Sequence, residues 1–194
     1  MKILFLHHNY PGQFKNLIRG LSGNRNIDLL FISDNANAKA IEGSRHLCSK
    51  FKAPKDKKKK GKSIGISEIH TEQLLRGLAY RNIFEELKKR RWIPQVIVCH
   101  TGWGCGIYAR EIFTKSKIIS YSEWWFKEDS AEYDYHKESR WISYTNSHKR
   151  ELFLRNTTSA IEIANSNELI APTQWQRNHL PVYLRERCKV IHDG

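Results

Sequence analysis

The chain lacks most of the short signatures that settle a function at once. Its four cysteines, Cys48, Cys99, Cys105 and Cys188, form no Cys-x-x-Cys pair and no zinc spacing, which excludes a zinc ribbon. No His-x-His or His-Glu-x-x-His occurs among the nine histidines, which removes the common hydrolytic metal motifs. No complete Walker A pattern is present, because Gly61-Lys62-Ser63 has Asp56 where the first glycine of that motif would stand. No apolar run approaches membrane-spanning length, and the run after Met1-Lys2 stops at Leu6 before His7-His8, too short for a secretory signal. These absences predict a protein of the reducing cytoplasm, peripheral at most on the inner membrane face.

What remains is a folded chain with a basic excess. Hydrophobic residues make up 40% of 194, with six tryptophans, enough to bury a core. The formal charge of +13 is uneven. Lys50 to Lys62 holds eight lysines against Asp56 alone. This run reads as a solvated loop that can rest on an anionic membrane through Lys57, Lys58, Lys59 and Lys60. The four-lysine block has no interleaved aromatics for base stacking, so nucleic acid is a poor partner.

Apolar runs alternate with helical periodicity. Lys2–His7 and Ile27–Ser33 read as strands around a helix whose Phe14, Leu17, Ile18 and Leu21 share a face. A longer helix spans about Ser67 to Arg90, with Ser67 as N-cap and Ile69, Tyr80, Ile83, Phe84 and Leu87 on one face. Leu74, Leu75 and Leu78 point elsewhere and predict a helix covered on two sides. Strands follow at Gln95–His100, Lys117–Tyr121, Leu169–Ala171 and Lys189–His192, with helices at Gly106–Phe113, Ser147–Asn165 and Thr173–Leu180. The alternation predicts an α/β fold: a Rossmann-like, doubly wound, mainly parallel sheet with helices on both faces. Ligands of such sheets bind at the carboxyl ends of the strands.

The polar residues that carry chemistry fall at those ends. Pro11-Gly12-Gln13-Phe14 turns from strand to helix, where glycine admits a close ligand and helix N–H groups face an anion. His100-Thr101-Gly102-Trp103-Gly104 is a tight glycine loop after a buried strand. Gly102 and Gly104 fit the first two positions of a dinucleotide fingerprint, but Ile107 occupies the third, where Gly or Ala belongs. His7 or His8 is expected beside His100, as polar strand-end groups for a substrate rather than metal ligands. Glu123-Trp124-Trp125 sets a carboxylate among rings that can stack on a sugar, and Arg177 follows the N-cap Thr173. On the residues alone, an enzyme half and a stand-alone nucleotide- or anion-binding module both remain open.

The Pro11–Phe14 turn, His100–Gly104, Tyr121–Phe126, Asn156–Asn165, Pro172–Arg177 and Val190–Gly194 together resemble the N-terminal domain of family-4 (group 1) glycosyltransferases. The resemblance implies one half of a GT-B architecture, two Rossmann-like domains facing across a cleft. It implies that this half receives a sugar or glycolipid acceptor. It assigns the nucleotide-sugar and the E-x7-E carboxylates to a C-terminal domain beyond residue 194. Transfer would retain anomeric configuration without a metal or other cofactor, and residues 1–194 alone would be inactive. Gly12 and Gln13 would approach the donor phosphate or transferred sugar, and His100, Thr101, Gly102, Trp103 and Gly104 would shape the cleft. Glu123 stands where many members carry a histidine, so it is at most a substitute for that residue; with His100 it is the catalytic candidate. Trp124, Trp125 and Arg177 would meet the acceptor.

Overall fold

A computed structural model describes residues 1–53, 66–127 and 153–193. Seven parallel strands form one sheet, and their carboxyl ends lie along one edge. They are β1 (Lys2–Leu6), β2 (Asp28–Ser33), β3 (Ser44–Cys48), β4 (Val96–His100), β5 (Lys117–Tyr121), β6 (Glu168–Ala171) and β7 (Cys188–Val190). Their spatial order is β3-β2-β1-β4-β5-β6-β7. The chain therefore winds outward in one direction from β1 and in the other from β4. That reversal opens a crevice beyond the carboxyl ends of β1 and β4, where a doubly wound sheet takes its ligand.

The central strands are apolar on both faces because both are covered. Leu4 and Leu6 of β1 join Leu30, Ile32, Ile97 and Cys99 in one core cluster, closed by Tyr80 and Phe84 of α2 (Ile66–Lys89) and by Phe113 after α3 (Ala109–Ile112). Ile3 and Phe5 join Leu29, Phe31 and Val98 on the opposite face, under Phe14 and Ile18. Phe14 ends a 3-10 turn, Gly12–Phe14, and Ile18 lies in α1 (Lys15–Ser22). A third cluster joins Ile163 of α4 (Asn156–Ala164) to Leu169, Ala171, Leu180, Leu184 and Trp125. The last two helices are α5 (Gln174–His179) and α6 (Val182–Arg187).

Several expectations change in detail. Leu17 is exposed, so α1 turns Ile18 and, in part, Leu21 to the core. Leu74, Leu75 and Leu78 are also exposed, and the second cover expected for α2 is not seen among the described residues. Ser67 lies inside α2 instead of capping it. Residues 34–53 contain β3, an edge strand that periodicity did not reveal. The helix expected over Gly106–Phe113 shrinks to the single turn of α3. Thr173 does cap α5, accepting from Trp175 N at 3.2 Å and Gln176 N at 3.4 Å. No helix among the described residues is long and apolar enough to cross a membrane. Lys57–Lys60 and residues 147–152 lie outside the described residues.

Candidate active site

His7 and His8 leave the end of β1, His100 ends β4, and Glu123 stands two residues past β5. Because β1 pairs with β4 and β4 with β5, these residues share one row. The His7 and His100 rings lie 4.6 Å apart. His100 Nε2 is 3.0 Å from Glu123 Oε2, and Gln13 Nε2 donates to the same oxygen at 2.9 Å. His100 Nδ1 is 3.0 Å from the Thr101 carbonyl oxygen. Both nitrogens of His100 thus have a partner, which fixes the ring. The His100 hydrogen bond holds the Glu123 carboxyl below the usual range against the opposing effect of burial, and Gln13 adds to the lowering.

Burial sets the charge of His7 and His8. Burial, reinforced by the neighbouring His100, pushes His7 down to about 3. Burial followed by the Arg76 charge pushes His8 down to about 4. Both imidazoles are therefore neutral near pH 7. His7 Nδ1 sits 2.6 Å from the Asn9 carbonyl oxygen and 3.1 Å from the Asn9 backbone nitrogen, so the backbone of the turn holds the ring in place. Trp103, 37% exposed, packs on His8 with ring centroids 3.8 Å apart. His7, His8, Trp103 and Glu123 with Asn9, Gly12 and Gln13 line a cleft of about 440 Å³.

Gly12 is required by this geometry. Its φ is +52°, and a Cβ there would stand 2.7 Å from His7 Nδ1. Gly12→Ala is expected to cost about 1–2 kcal/mol in urea unfolding and to shift the His7 ring resonances. Unchanged His7 resonances would show that the turn does not set this ring.

The glycine loop is held from below by side chains that sequence reasoning did not single out. Glu162 of α4, 2% exposed, accepts from Gly102 N at 2.7 Å and from Gly106 N at 2.8 Å. Gln73 donates to the Gly102 carbonyl at 2.6 Å and accepts from Thr158 at 2.7 Å. Arg76 donates to the Trp103 carbonyl at 2.9 Å while pairing with Asp34 at 2.7 Å and Glu72 at 2.6 Å. Burial raises the Glu162 carboxyl to about 7, although the two loop N–H groups pull the other way. The Gly102 and Gly106 amides therefore point inward to a carboxyl group. A phosphate would find these two donors occupied, which argues against the dinucleotide reading of this loop. Glu162 did leave a trace in the sequence, a lone carboxylate within the apolar Ala160–Ala164.

The remaining candidates separate. Thr101 is buried and donates to Tyr121 O at 3.2 Å, a contact within the sheet edge. Gly104 packs against the α2 backbone at Gln73. Trp125 is 5% exposed and belongs to the third core cluster, so its ring is not offered to the cleft. Arg177 donates from Nε to the carbonyls of Arg185 and Cys188, tying α5 to α6 and β7. Trp124 is half-buried and turns toward Trp175, 5.3 Å between ring centroids. Cys99 and Cys105 are buried thiols, 1% and 0% exposed, with no outward chemistry. Among the described residues no group of three or more His, Cys, Asp or Glu is arranged to hold a metal ion.

Comparison with solved structures finds similarity to parts of larger proteins. A UDP-glucosyltransferase from Polygonum tinctorium, solved with 3,4-dichloroaniline, superposes with a TM-score of 0.54 at 7% identity, covering 98% of this chain and 51% of that one. The UDP-GlcNAc 2-epimerase of Neisseria meningitidis bound to UDP-GlcNAc gives 0.49 at 13% identity, covering 98% and 45%. CalG4, the calicheamicin glycosyltransferase, gives 0.49 at 10% identity, covering 98% and 52%. The chain thus spans about half the length of the structures it matches. No curated protein matches it. The family profile described as the glycosyl transferase family 4 group matches residues 25–194, and the chain belongs to that family.

Proposed function

We propose that this chain is the acceptor-binding half of a retaining glycosyltransferase that uses a nucleotide-sugar donor and transfers no sugar by itself. The observation that carries the reading is the His100–Glu123–Gln13 cluster in an open cleft at the strand ends. Both hydrogen bonds to Glu123 land on Oε2, which leaves Oε1 to accept from an acceptor hydroxyl. His100 and Gln13 fix the carboxylate in place, so the hydroxyl oxygen is held in one orientation before attack on the anomeric carbon. Neutral His7 and His8 suit sugar hydroxyls, which need donors and acceptors without net charge. The donor's nucleotide would sit on a second domain across the cleft, as family membership and the half-length match support.

Glu123→Gln preserves shape and removes the charge. In the complete enzyme it is expected to lower kcat/KM for sugar transfer by about 100-fold, chiefly through kcat. A rate within threefold of the parent would remove Glu123 from the reaction.

A further inference from the structure

A line of aromatic rings continues the row of strand ends beyond the cleft. Trp124 follows Glu123 directly, and Trp175 opens α5 after β6, the strand next to β5. Trp124 and Trp175 lie 5.3 Å apart, Trp175 and His179 3.9 Å apart, and the Trp124 and His179 planes are within 21° of parallel. His179 Nδ1 is 2.8 Å from the Trp175 carbonyl one turn back, which fixes the imidazole beside the indole. The Trp124 indole nitrogen is buried and has no hydrogen-bond partner among the described residues, and its ring packs against Trp175, His179 and Phe126. Trp175 is 45% exposed. Exposing so large a ring is costly unless something covers it.

We infer that Trp124, Trp175 and His179 form a saccharide-binding shelf, and that the acceptor is a glycan longer than one sugar, lying from Glu123 across the ends of β5 and β6. The role in transfer rests on the glycosyltransferase reading; the binding does not. Aromatic faces carry partial negative charge and attract the slightly positive C–H face of a pyranose ring. The rim of α5 adds side-chain amides, Gln174 donating to Asn178 at 2.9 Å, both exposed. Uncharged amides match neutral hydroxyls, whereas a lipid tail would call for aliphatic walls. Adjacent strands stand about 4.8 Å apart, close to the length of one sugar unit. A glycan can therefore place one residue at Glu123 and the next on the shelf.

The test is titration of the full chain with cellohexaose, maltohexaose and chitohexaose, read by tryptophan fluorescence and by nuclear Overhauser contacts to the Trp175 ring. Stacking tolerates changes in hydroxyl stereochemistry, so at least one of the three is expected to saturate. Trp175→Ala is expected to weaken that binding by at least about tenfold, and Trp175→Phe to stay within about threefold. Binding by none of the three, or binding untouched by Trp175→Ala, overturns the proposal. The contacts to the Trp175 ring need no variant and hold the proposal to account if Trp175→Ala does not fold. Saccharide binding in an enzyme whose transfer rate ignores Glu123→Gln would sustain the shelf and sink the transfer reading. The opposite pair of results would sink the shelf alone.

Discussion

Replacing Glu162 by alanine is expected to destabilise the chain by about 2–4 kcal/mol, because it strips the Gly102 and Gly106 amides of their acceptor inside the protein. For a chain of this size the melting temperature should fall by about 5–15 °C. The more specific signature is its pH dependence. The unfolded carboxyl titrates near 4.5, whereas the folded one is raised to about 7. Between those values the native state holds a proton that the unfolded state has released. Stability from this group is therefore full below 4.5, falls as pH rises to 7, and is then level. The span is on the order of 3 kcal/mol. His7 and His8 oppose this trend, since their lowered values make acid favour the unfolded state below about 6.5. The difference between parent and Glu162→Gln in urea unfolding isolates Glu162, because both histidines are common to the two proteins. A difference that does not change between pH 5 and pH 8 would contradict a raised, buried carboxyl.

Gly104→Ala should be at least as damaging, at about 3–5 kcal/mol. Gly104 has φ +87°, and an added Cβ would stand 2.1 Å from the Gln73 carbonyl oxygen and 2.8 Å from its carbon. Those are backbone atoms of α2, so no rotamer change relieves the overlap, and the loop must lift away from the helix. Trp103 and His100 would move with it. Gly77 is the control on the other side of the same contact. Its φ is not in the left-handed region, and its nearest neighbour to an added Cβ is Gly104 O at 3.1 Å. Gly77→Ala should therefore cost clearly less. Denaturant midpoints for the two variants decide the matter, and a Gly104→Ala protein within 1 kcal/mol of the parent would mean that the loop is not packed as described.

The inner strands were the most legible in the sequence, because they are buried on both faces. β1, β2, β4 and β5 are continuous apolar runs because helices cover the sheet above and below. Ser44-Arg-His-Leu-Cys48 was illegible as β3 because an edge strand is half-solvated and its polar residues mimic a loop. The meeting of His7 with His100 followed from the usual strand order of doubly wound sheets, and the rings do lie 4.6 Å apart. Glu162 could not be connected to the glycine loop, since the contact spans 56 to 60 residues and no local pattern encodes it. Nor does the sequence separate its tryptophans. Trp124 and Trp125 are adjacent past the end of β5, and one turns toward Trp175 while the other enters the core.

The assignment of this chain as an acceptor half, rather than a self-sufficient nucleotide-binding module, is tested most directly by isothermal titration of residues 1–194. The ligands are uridine diphosphate, uridine diphosphate glucose and guanosine diphosphate mannose. The inward-facing loop amides and the neutral His7 and His8 predict no saturable heat from any of the three at millimolar ligand. Micromolar binding of any one of them would contradict the account and make the chain a nucleotide-binding module in its own right.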